Sequence, residues 1–135
     1  MRRMWIDANV ILRFLTGEPQ HLHERSARLM ARADQGDIEL FVDDLIVAET
    51  VWVLKSFYKR SMADIADVLT AFLTAPGIAV ADQALLIRSL QLSERENVDF
   101  VDALLALRAA AQDAEICTFD KTDFRRLPVR WNSPA

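Results

Sequence analysis

Short apolar runs alternate with longer stretches of helical period along this chain, and few architectures accept that pattern. Residues 3–6 read as a short apolar strand ending at Asp7, and a helix follows over 8–16, stopped by Gly17 and Pro19. Residues 21–35 form a charged helix that ends before Gly36, and "IELFV" (38–42) alternates like a strand. From 44 to 58 apolar positions recur at helical spacing, and Ser61 with Asp64 has the form of a capping box opening a helix over 62–74. Pro76 and Gly77 end that helix, and "IAVA" (78–81) is a third strand. Asp82 is read as the cap of a helix to about 95, and Asp99 as the start of another through Ala111. "EICTF" (115–119) is a fourth strand that gives way to a loop at Asp120, and "VRW" (129–131) is a candidate fifth. Strands in such alternation lie side by side under helices, so the expected class is α/β, with a central, mostly parallel sheet of four or five short strands flanked by helices. No repeat, linker or low-complexity tract interrupts it, so residues 1–135 are expected to form a single domain.

Composition narrows the function classes. Hydrophobic residues make up 52% of the chain, with only 3 Gly and 4 Pro, which excludes a disordered chain. The single cysteine, Cys117, excludes an intrachain disulfide and a cysteine-based zinc site, and its apolar neighbours predict a buried small side chain. A reducing cytoplasm is the expected compartment. No apolar run approaches the roughly 20 residues of a membrane span, and "MRRMWIDA" puts an acid where a signal peptide would stay hydrophobic, so no membrane association is expected. The net charge of −4 is unlike the basic footprint of a typical nucleic-acid binder. No phosphate-binding glycine loop and no serine nucleophile elbow is present, and His21 and His23 fall in a polar helix start where solvation is expected.

The chemistry therefore rests on acids. Four stretches place a carboxylate among apolar residues: "WIDANVILRFL" with Asp7 and Asn9, "VAETVWVL" with Glu49, "VDFVDALLAL" with Asp99 and Asp102, and "TFDKTDFRRL" with Asp120 and Asp123. Each has an ordinary structural reading. Asp7 equally suits a helix N-cap, Asp99 reads as an N-cap, Asp120 as a turn residue, and Asp123 as a loop or cap residue. Glu49 lies mid-helix beside Ala48, Val51 and Trp52, and Asp102, three residues into its helix, favours the helix dipole. Taken together they say more. Ligands of an open parallel sheet bind outside the carboxyl ends of its strands, and Asp7 and Asp120 each stand where a strand gives out. Carboxylates gathered there repel one another and need a hard cation, Mg²⁺ or Mn²⁺, the ligand set suited to phosphodiester hydrolysis.

These four stretches, in this order and over nearly the whole chain, resemble the PIN-domain family and, within it, the VapC-type toxin ribonucleases. The resemblance implies a PIN-like fold and a Mg²⁺- or Mn²⁺-dependent endoribonuclease acting as the toxin of a toxin–antitoxin pair. It would cut RNA to leave 5′-phosphate and 3′-hydroxyl ends, be restrained by a cognate antitoxin and form a homodimer. Carried over position by position, the metal-binding and catalytic acids fall on Asp7, Glu49, Asp102 and Asp120. Asn9 and Thr118 match supporting polar positions and Asp123 matches a variable additional acid; Asp99 is not the usual core acid, since the Asp-Ala pair selects Asp102, and is kept as a supporting candidate. "FVDDLI" departs from the pattern, since relatives often carry Ser or Thr near Asp43 and Asp44. Arg13, Lys55, Lys59, Arg60, Lys121, Arg125 and Arg126 are candidates for a local basic rim that would offset the acidic total. Large apolar residues recur on 21–35 and 44–74, including Leu22, Leu29, Met30, Trp52, Phe57, Tyr58, Met62 and Phe72; most read as ordinary core, and those a domain this small leaves unburied suggest a groove for a partner helix. The alternatives are a catalytically degenerate PIN-like binding module and a hydrolase of small phosphoesters. The latter lacks the paired Asp-x-Asp expected after a first strand, since the spacing here is Asp7-Ala8-Asn9.

Overall fold

The computed structural model describes residues 1–135, which divide into two compact units, Met1–Gln83 and Ala84–Ala135. The first carries β1 (Arg2–Trp5), α1 (Ala8–Thr16), α2 (Gln20–Asp34), β2 (Ile38–Phe41), α3 (Asp44–Ser56), α4 (Met62–Leu73) and β3 (Ile78–Ala79). The helix α5 (Gln83–Glu96) begins at the boundary, and the second unit continues with α6 (Phe100–Ala111), β4 (Ile116–Cys117), α7 (Lys121–Phe124) and β5 (Trp131–Asn132). The α/β class and the parallel pairing are as expected. The five strands are hydrogen-bonded as three and two: β1-β2-β3 form one parallel sheet and β4-β5 another.

In the first unit, helices cross between consecutive strands, as parallel pairing requires. Trp5 stands opposite Phe41, and Leu40 opposite Ile78. The alternation in β2 turns Ile38 and Leu40 fully inward, and Ile11, Val47, Leu54, Ile65 and Leu69 from the helices are buried with them. Capping fixes where the helices start. Ser61 accepts the Asp64 N–H at 3.1 Å, and Asp43 accepts the Leu45 N–H at 2.8 Å. Gly77 closes the α4–β3 turn with φ +81°, and a Cβ there would lie 2.5 Å from the Ala33 carbonyl oxygen.

In the second unit, Ser93 donates its hydroxyl hydrogen bond to the Val98 carbonyl across the turn between α5 and α6. Leu92, Val98, Ala103, Leu107 and Ile116 form a core into which Phe124 and Leu127 insert. That insertion pulls the segment after Asp120 into the short helix α7, where a loop is expected from the sequence. β4 is two residues long, so period-two alternation buries Ile116 and turns Cys117 outward; the expected buried cysteine is exposed. His23 also departs from expectation. It is half-buried, with Nδ1 at 3.0 Å from the Arg13 carbonyl and its ring stacked on Phe14, while His21 is exposed.

Candidate metal centre

At the carboxyl end of β1 the chain turns directly into α1, and Asp7 occupies the joint. Its side chain accepts the Val10 N–H at 3.2 Å, so the N-cap reading holds, yet the residue is exposed and keeps carboxylate lone pairs free for another partner. Its apolar neighbours point elsewhere: Ile6 and Ala8 are buried, and Asp7 faces outward between them. Asp7 and Asn9 line one cavity with Arg13. Glu49 is exposed on α3 in the same unit, between Leu45 and Trp52 at helical spacing, and both of those side chains are exposed too.

The second unit gathers three acids. Carboxylate oxygens of Asp102, Asp120 and Asp123 all lie within 4.8 Å of one another. Asp102 projects from the first turn of α6. Asp120 caps α7, accepting the Asp123 N–H at 3.1 Å, and its own N–H donates to Thr118 Oγ1 at 2.9 Å. Thr118 thus holds the backbone of Asp120, the supporting role expected of it. Partial burial raises the Asp102 carboxyl above the ordinary carboxylate range, and the charges of Asp99, Asp120 and Asp123 push it further in that direction. The part of that shift that comes from neighbouring carboxylates is the part a bound cation would relieve. Hard oxygen donors so arranged fit Mg²⁺ or Mn²⁺.

Asp123 enters this cluster more closely than a loop residue would, but it already has a cation. Arg126 Nη2 lies 2.6 Å from Asp123 Oδ1, and Arg126 Nη1 donates to the Glu96 carbonyl at 2.9 Å. Arg126 is therefore engaged within its own unit, and the basic rim proposed from sequence loses it; the signal was the i,i+3 spacing in "DFRR". Asp99 holds the N-cap position of α6 but makes no capping hydrogen bond. The expected cap is replaced by an electrostatic role, since the Asp99 charge acts on Asp102.

Both acids give an expected outcome. The raised Asp102 carboxyl means that the folded protein holds its proton more tightly than the unfolded chain does. Without metal, stability therefore falls as pH rises from the ordinary carboxylate range through the raised value. Asp102→Asn should remove that dependence and raise the melting temperature of the EDTA-treated protein at pH 7. A melting temperature below wild type would contradict the electrostatic account. Asp99→Ala, lacking a cap bond to lose, should change stability by no more than about 0.5 kcal/mol, as urea titration would report.

Known proteins provide the context for this geometry. The chain is 25% identical over 130 residues to the VapC ribonuclease of Aquifex aeolicus (strain VF5), covering 96% of this chain and 95% of that protein. Among solved structures, VapBC2 from Rickettsia felis bound to a DNA fragment from their promoter matches with a TM-score of 0.38 and 19% identity, over 100% of both chains. The PIN domain profile matches residues 4–129, which spans both units and all four acid-bearing stretches. With that match over most of its length, the chain belongs to the PIN domain family.

Proposed function

We propose that this protein is a metal-dependent endoribonuclease, the toxin component of a toxin–antitoxin pair, working as a single PIN-like domain over residues 1–135. The observation that carries the reading is the trio Asp102, Asp120 and Asp123, with oxygens within 4.8 Å and the Asp102 carboxyl raised by partial burial and then by its neighbours' charge. Family membership and the relative named a VapC ribonuclease support the reaction class. Asp7, Glu49, Asp102 and Asp120 are the proposed catalytic and metal-binding acids. Asp123 is the poorer ligand because Arg126 neutralises it. When bound, Mg²⁺ or Mn²⁺ supplies Lewis-acid chemistry at the scissile phosphodiester.

The chain's own residues prepare that chemistry. Thr118 and the α7 cap fix Asp120, so little ordering remains when a cation arrives. Asn9 supplies a neutral polar side chain beside Asp7. In the hydrolysis, water oxygen bonds to phosphorus, the bond to the 3′ oxygen breaks and that oxygen takes a proton, leaving 5′-phosphate and 3′-hydroxyl ends. The decisive assay is cleavage of structured RNA with Mn²⁺ or Mg²⁺ and with excess EDTA. Activity is expected with metal and absent in EDTA; undiminished cutting in EDTA would overturn the reading.

No helix is long and apolar enough to cross a membrane, and action on RNA in the cytoplasm is part of the proposal. A cognate antitoxin is the proposed protein partner. In the first unit, α1, α2 and α4 border an apolar groove of about 630 Å³ lined by Phe14, Leu15, Met30, Val68 and Ala71, with buried Phe72 in its wall. An amphipathic partner helix suits it. Co-expression with the small neighbouring open reading frame should yield a copurifying, inactive complex, and charged substitution at Met30 should release it. A homodimer is also proposed, with the exposed Leu45 and Trp52 of α3 as apolar surface for a second copy.

A further inference from the structure

The cavity beside Asp7 has a composition that the acid chemistry does not require. It is about 500 Å³ in volume, lies between α1 and α2 and is lined by Asp7, Asn9, Arg13, Leu22, Arg25 and Ser26. Ser26 is 8% exposed, and its hydroxyl makes no hydrogen bond to the protein. A buried helical serine normally returns its hydroxyl to the preceding turn, as Thr50 and Ser89 do here at 2.7 Å. Ser26 instead leaves a polar atom open to the cavity. Arg25 is exposed and makes neither an ion pair nor a hydrogen bond. Arg13 is half-buried and held by Tyr58 Oη and the Glu18 carbonyl, each at 3.4 Å, long bonds that leave most of its guanidinium donors unused.

Arg25 also begins a charged line. Arg25, Arg28 and Arg32 recur at i, i+3 and i+7 on α2, so they share one face about 10 Å long. All three are exposed and unpaired, and His21 extends the line by one turn. In a chain of net charge −4 this is a concentrated run of arginines that form no ion pairs. It leads into a cavity whose wall holds a proposed metal ligand. The polymer that matches such a strip is one with evenly repeated anions, and guanidinium forks match phosphate oxygens.

We propose that this cavity is a nucleotide subsite for single-stranded RNA, in which Arg13 and Arg25 hold a backbone phosphate next to Asp7, the Ser26 hydroxyl bonds a sugar or base, and Arg28 and Arg32 guide the strand away. The inference rests on the nuclease reading for its substrate and adds positioning residues to it. A protein partner on the same strip is an outcome of the test.

The test uses wild-type protein in EDTA, where no cleavage is expected, with a labelled short single-stranded RNA followed by fluorescence anisotropy over a salt series. Arg25→Gln should weaken binding about tenfold and reduce the salt slope by about 0.7, the change expected for one lost phosphate contact. Ser26→Ala should weaken binding about threefold without changing that slope. With Mn²⁺, Arg25→Gln should raise KM and leave kcat near wild type. Arg88→Gln, an exposed arginine remote in sequence, is the control and should bind as wild type does. Unchanged affinity and slope in Arg25→Gln would overturn the subsite, as would equal losses in Arg25→Gln and Arg88→Gln, which would mean diffuse attraction. Loss of a copurifying protein with RNA affinity intact would likewise overturn it in favour of a protein surface. The two readings fail separately. RNA binding that depends on Arg25 without any cleavage would sink the nuclease and keep the subsite, whereas metal-dependent cleavage indifferent to Arg25 would do the reverse.

Discussion

Asp120→Asn is expected to lower metal-dependent RNA cleavage by about a hundredfold or more, beyond the loss typical of removing a mere supporting group around a metal, with no loss of folded structure. The side chain has two roles that this substitution separates. As the α7 cap it accepts the Asp123 N–H at 3.1 Å, and asparagine is as good a cap as aspartate. As a member of the acid trio it contributes a negative charge, which asparagine lacks. Circular dichroism and the urea midpoint should therefore match wild type or improve, because one of the charges acting on Asp102 is gone. Mn²⁺ affinity, measured by calorimetry on the protein without RNA, should fall alongside activity. Cleavage at the wild-type rate would remove Asp120 from the chemistry and leave it a cap.

The second large effect concerns Gly77. Its φ of +81° lies in the region that side-chain-bearing residues seldom adopt, and a Cβ would meet three atoms of Ala33, its carbonyl oxygen at 2.5 Å, its Cβ at 2.7 Å and its carbonyl carbon at 2.8 Å. Two of the three are backbone atoms in α2 and have no rotamer to escape into. The Gly77 carbonyl also accepts the Leu40 N–H at 2.8 Å, so shifting the turn breaks a rung between β2 and β3. Gly77→Ala should destabilise the protein by about 2–4 kcal/mol, combining backbone strain with overpacking. Gly36→Ala is the comparison. It has a similar φ of +83° but nothing within 4 Å of a Cβ, so it should cost clearly less, and the difference between the two isolates the clash. Equal losses would mean that the left-handed backbone alone matters.

Most elements could be read from the sequence because their determinants are local. α1 spans Ala8–Thr16 as its apolar period and the Gly17 stop require, and Ser61 caps α4 as the capping pattern predicts. The strands were less legible. β3 and β4 are two residues each, shorter than their apolar runs, and β5 lies at Trp131–Asn132 instead of 129–131, because a strand forms only where a neighbour offers partners. α7 was invisible for a related reason: a one-turn helix has too few residues for a period, and what forms it is the burial of Phe124 and Leu127 in a core assembled from distant residues. The arginine line of α2 was fully present as a helical spacing, but arginines there look like any solvated face until their lack of partners is known.

By itself the sequence determined the α/β class, the order of the elements and the acids worth considering, since hydrophobic period, turn residues and residue chemistry are properties of short segments. Tertiary structure alone decided which acids are neighbours. It brought Asp102 to Asp120 and Asp123 and turned Asp99 from a capping group into a source of repulsion. It also left the Ser26 hydroxyl and Arg25 without partners beside Asp7. Charge acts through space, and both the ionisation of a carboxylate and the freedom of an arginine depend on groups that the fold brings close, some of them far apart along the chain.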